Sequence, residues 1–65
     1  MNADQFKPSA FELSQCALRE LRRRRRTFPA LVRHGKMEQE DAEREIELMQ
    51  QIFLNLENQT QLLLL

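Results

Sequence analysis

The chain has no tryptophan and no tyrosine, a single cysteine, a single glycine and two prolines among 65 residues. Each scarcity excludes something. One cysteine forbids an intrachain disulfide, and with a single histidine it leaves no set of ligands for a structural zinc. The missing glycines rule out phosphate-cradling loops, and no Ser-His-Asp arrangement is present. No apolar run approaches the ~20 residues needed to span a bilayer; Leu62–Leu65 is the longest such tail. The N-terminus, MNADQFKPSAFE, lacks a basic region followed by an apolar stretch, so no secretory signal is expected. The expected setting is a reducing cytoplasm.

What is present favours helix. Leu, Glu, Arg and Gln dominate, and all are good helix formers. The ten basic and ten acidic side chains cancel formally, but they stand in blocks. Arg19, Arg22–Arg26, Arg33 and Lys36 fill the middle; Glu38, Glu40, Asp41, Glu43, Glu45 and Glu47 follow at once. Such blocks mark either a tail for a charged partner or two segments that lie against each other.

The sequence predicts a loose arm over residues 1–8 and a helical hairpin over residues 9–65. Pro8 disfavours helix at Lys7. Ser9 with Glu12 three residues on forms a capping box, so helix 1 should start near Ala10. Its apolar positions, Ala10, Phe11, Leu13, Ala17, Leu18 and Leu21, fall mostly on one stripe that Phe28 extends past the arginines. Arg25 falls on that extension and is expected to lay its stem on apolar surface. Pro29 removes the hydrogen bond to the Arg25 carbonyl. Helix 1 should therefore kink there, or end and restart with Thr27 as cap, and run to about residue 32. Gly35 suits the left-handed position that closes a helix, giving a turn over residues 33–38.

Helix 2, expected over about residues 39–63, carries the cleaner pattern. Ala42, Ile46, Met49, Phe53, Leu56, Thr60 and Leu63 alternate four and three apart, a heptad pattern. Leu48, Ile52 and Leu54 lie off this seam. A helix apolar on more than one side needs more than one neighbour. Two helices supply only one, so the expectation is a homodimer forming a four-helix bundle. Leu18, Leu21, Ile46, Met49, Ile52, Phe53 and Leu56 are its expected interface. Arginines and acids that both adjoin the turn can neutralise each other within the hairpin or across the dimer.

The stretch from Arg23 to Met49, RRRRTFPALVRHGKMEQEDAEREIELM, resembles a motif of small, mostly uncharacterised phage and prophage proteins. The resemblance rests on the arginines, Phe28–Pro29, Leu31–Val32, Gly35–Lys36–Met37, Ala42, Glu45–Ile46 and Met49, and covers less than half of the chain. Glu38 departs from it, standing where a capping Ser or Thr is common. The resemblance implies a phage origin and a helical hairpin. It brings no established activity, but small phage helical proteins often bind and disable host proteins.

These observations point away from catalysis and from any cofactor. The expected function is a non-enzymatic protein-binding module that modulates a host protein, with Arg22, Arg23, Arg24, Arg26, Arg33 and Lys36 as the partner-binding surface. The apolar residues of helix 2 and the terminal leucines form a second surface. The alternative is a regulatory protein that uses the same arginines on nucleic-acid phosphates. The zero net charge speaks against it, since a basic domain is the norm there. A structural assembly piece is the third reading.

Overall fold

A computed structural model describes residues 7–64, with side chains to residue 62. The arm expected over residues 1–8 lies, up to residue 6, outside the described residues, as do Leu65 and the side chains of Leu63 and Leu64. The fold is an all-α antiparallel hairpin of two helices, α1 (Ala10–Arg33) and α2 (Gln39–Leu64).

The capping box forms as the sequence predicts. The Ser9 hydroxyl accepts from the Glu12 amide at 3.1 Å, and the Glu12 carboxylate accepts from the Ser9 amide at 3.4 Å. At the other end α1 closes in a Schellman motif. The Gly35 amide donates to the Val32 carbonyl (3.0 Å) and the Lys36 amide to the Leu31 carbonyl (2.9 Å), the paired bonds that satisfy otherwise orphaned carbonyls. Gly35 sits at φ +70°, with nothing within 4 Å of where a Cβ would stand. Gly35→Ala should therefore cost only the left-handed backbone penalty, about 1–2 kcal/mol, read as a lower midpoint in urea with unchanged helicity.

The restart at Thr27 does not occur: α1 runs unbroken through Pro29 to Arg33. Pro29 is exposed, so the Arg25 carbonyl that loses its donor stands on the watered side of the helix. α2 begins where expected. The Ala42 amide bonds the Glu38 carbonyl at 3.0 Å, which makes Glu38 the residue before the first turn, and the acids Glu40 and Asp41 follow in that turn, where the helix dipole favours them.

Ser14, Ala17 and Leu21 of α1 and Ala42 and Met49 of α2 are buried. Ile46, Phe53 and Leu56 pack against the centre made by Ala17, Leu21 and Met49. α2 thus buries the seam read from its sequence. On α1 the inward row keeps Ala10, Ala17, Leu21 and Phe28 of the expected stripe and is completed by Ser14, Arg24 and Leu31, again four and three apart; Ser14, Ala17 and Leu21 are buried and the others half-buried. Ser14 fits because its hydroxyl donates to the Phe11 carbonyl at 2.8 Å within its own helix, and a satisfied hydroxyl is cheap to bury. Phe11 and Leu13, expected on the stripe, are instead 58% and 42% exposed. Of the residues expected between copies, Leu21 and Met49 close the intrachain seam, with Ile46, Phe53 and Leu56 beside them. Leu18 is half-buried and Ile52 is 48% exposed.

Candidate interaction surfaces

The arginine run covers more than one helical turn, so α1 distributes it around its axis. Arg23 and Arg24 are neutralised locally. Arg23 grips Glu20 with two bonds, Nε to Oε2 at 2.9 Å and Nη2 to Oε1 at 2.7 Å. Arg24 donates from Nε to the same carboxylate at 3.0 Å. It then crosses to α2, where Nη1 donates to the Glu45 carbonyl at 2.9 Å and lies 3.6 Å from the Glu45 carboxylate. Its guanidinium also stands 5.8 Å from the Phe28 ring centroid, within cation–π range. Arg24, not Arg25, is therefore the arginine whose stem lies on the seam. Both follow Leu21 by about one turn, but only Arg24 continues the four–three pattern. Arg25 is exposed, and its Nη2 donates to Gln50 Oε1 at 2.7 Å.

The Arg23 bonds, then those of Arg24, lower the Glu20 carboxyl from 4.5 to about 2, and Glu20 in turn raises the Arg23 guanidinium. A carboxyl depressed on folding contributes stability that is present above its unfolded value and fades as pH falls through its folded value. Between about pH 4.5 and 2 the thermal midpoint should therefore fall. In Glu20→Gln that acid slope should be shallower, and only modestly so, because the cluster faces solvent and water screens it. Parallel acid titrations of the two proteins by circular dichroism check this.

Arg22, Arg26 and Arg33 are exposed and make no ion pair among the described residues; Arg19 behaves likewise. Steps of three, four and seven place these four along the outer side of α1, a basic row about 21 Å long. Lys36 lies exposed in the turn. On α2 the exposed acids Glu40, Glu43 and Glu47 form the corresponding outer row, interrupted by the exposed Arg44, with Glu43 and Glu47 bonded to Gln39 and Gln51 at 2.7 and 2.9 Å. Within the hairpin, Arg24–Glu45 is the one ion pair between the helices among the described residues. The two charge blocks thus form opposite edges of a slab more than they neutralise one another.

The two broad faces of the slab differ. One carries two grooves between the helices. Phe11, Ser14, Gln15, Leu18, Phe53 and Glu57 border the first; Pro29, Val32, Arg33, Ala42, Glu43 and Ile46 border the second. The Arg25–Gln50 bond lies between them along the chain. On the other face Leu48 and Ile52 are each 48% exposed. With Asn55, Gln59 and Leu62 they make a second four–three row on α2, near Glu45 and the Arg24 crossing.

Cys16 is exposed near the open end and His34 caps α1 at the turn, about 27 Å apart along the helix, so they share no site. Thr60 of the Asn58-Gln59-Thr60 triplet lies within α2, its hydroxyl donating to the Leu56 carbonyl at 3.1 Å. No described helix is long and apolar enough to cross a membrane. Glu20, Glu45 and Gln50, which dispose three of the arginines, were not read as site residues from the sequence. Glu20 was within reach, since residues three and four apart on a helix meet; Glu45 and Gln50 needed the register of the hairpin. Comparison with known proteins gives no match to a family model, a curated protein or a solved structure.

Proposed function

We propose that this chain is a small non-enzymatic protein-binding module that works as a homodimer. The observation that carries this reading is surface left uncovered. Among the described residues only Leu21 and Met49 are both large and buried, and a fully buried side chain of this kind contributes only about 1.5–3 kcal/mol. Phe11, Leu48, Ile52, Leu54 and Leu62 stand 46–61% exposed; they are spread over both faces of the slab, so one face serves a second copy and the other a different protein. The phage-protein resemblance makes a host protein the natural second partner.

A second reading has its own observation. The row Arg19, Arg22, Arg26 and Arg33 has no acidic partner among the described residues, and such a row suits nucleic-acid phosphates. About four phosphate contacts would give a log–log salt slope near −3 to −4. Titration of fluorescent duplex DNA and single-stranded RNA at two salt concentrations separates the readings. The protein-binding reading expects no shift at physiological salt; a salt-steep shift lost in Arg22→Glu/Arg26→Glu transfers the function to nucleic acid.

A further inference from the structure

The geometry points to a specific docking of the two copies: the hairpins stack through their grooved faces with both turns at the same end, each α1 lying on the partner's α2. This deepens the homodimer reading and rests on it. The two-fold axis then runs parallel to the helices.

Charge selects this arrangement. The slab has a basic edge on α1 and, Arg44 apart, an acidic edge on α2 near the turn, and within one chain they face apart. Stacking with turns together sets the basic edge of each copy along the acidic edge of the other, on both sides at once. Stacking with turns at opposite ends sets α1 on the partner's α1 and brings Arg19 and Arg22 toward their own copies. Like charges so placed are repulsive, and complementary rows fix register.

The register is also fixed without free choice. An axis parallel to the helices leaves every residue at its own height, so α1 of one copy meets in the partner the α2 residues it already lies level with. Leu18 is level with Phe53, since both border the first groove, and comes against the partner's Leu54, which is 46% exposed. Phe11, 58% exposed, comes over the partner's Glu57–Gln61 stretch beside the same groove. Arg33 is level with Gln39 and Glu43 at the second groove; Arg26 comes level with the partner's Glu45, between Arg44 and Glu47 of an outer row that is acidic on balance. The face chosen is the one toward which both charged edges lean: Arg33 and Glu43 already border its groove. Leu48 and Ile52 are left on the outside of the bundle.

The test is a charge swap. Two variants are made, Arg26→Glu/Arg33→Glu and Glu43→Lys/Glu47→Lys. Each alone should keep its helicity and raise the dimer dissociation constant at least tenfold; an equimolar mixture should regain dimer, because both edges of the mixed pair are again complementary. With turns at opposite ends neither charge row meets its complement on the partner and mixing the two variants would regain no dimer, which overturns the proposal. Leu54→Glu should dissociate the dimer and Ile52→Glu should not; the reverse result overturns the choice of face. Spin labels at Lys36→Cys in a Cys16→Ser background give a geometry readout independent of affinity. They should lie within about two helix diameters, ~20–25 Å, whereas opposite-end docking separates them by about the 36 Å length of α1 or more. A wild-type chain that is monomeric refutes the homodimer reading itself, and a dimer that fails the swap refutes only this docking.

Discussion

Replacing Leu21 with aspartate should abolish the helical circular dichroism of the whole chain. Leu21 is 2% exposed and sits at the centre of the seam with Ala17 and Met49. Truncating a buried leucine costs about 2–5 kcal/mol. A carboxylate in its place adds the cost of burying an unpaired polar group, about 1–3 kcal/mol even by protein-based measures. A domain of 65 residues holds only about 3–10 kcal/mol in all. Neither helix has another partner among the described residues, so both should melt together in one loss of ellipticity at 222 nm. Leu48→Asp makes the same chemical change at a position 48% exposed on the outer face and should leave the spectrum intact. A folded Leu21→Asp protein would mean that the seam is not the core.

The second large effect has the opposite sign. Pro29→Ala should stabilise the chain by about 2 kcal/mol. Proline inside a helix costs about 3 kcal/mol relative to alanine, through the lost bond to the Arg25 carbonyl and the clash of the ring with it. Part of the gain is offset because proline also restricts the unfolded chain, an effect of about 0.4–1 kcal/mol. For a domain of this size the net change should raise the melting temperature by roughly 8–16 °C. A melting temperature that falls would show that the ring of Pro29 fills the groove it borders with Val32 and Ala42 well enough to outweigh a backbone bond.

Much of the fold was legible because the punctuation is local. Ser9 with Glu12 starts α1 and Gly35 ends it, each through bonds that span a few residues. The 4–3 row from Ala42 to Thr60 is the face that α2 buries. The partner row on α1 was harder to see because two of its members are polar. Ser14 conceals itself by bonding its own helix, and Arg24 by finding Glu20, Glu45 and Phe28; hydrophobicity alone therefore drew the stripe through Phe11 and Leu13, which face outward. The span of α1 through Pro29 was legible because Phe28, Leu31 and Val32 keep the helical spacing past it; of the alternatives at Pro29, the restart at Thr27 does not occur. At the candidate surfaces, the arginine block was visible as composition, but its division was not. Which arginines are neutralised depends on helical phase and on Glu45 and Gln50, more than twenty residues away in sequence.

The central claim is that one seam is too little for this chain and that a second copy covers a face of it. The most direct test is the mass by light scattering after size exclusion, over a concentration series, with circular dichroism on the same fractions. The expected result is twice 7.8 kDa, falling toward one copy only at dilutions where helicity also declines. A fully helical species of 7.8 kDa at every concentration would contradict it, because the hairpin would then be stable with both faces in water.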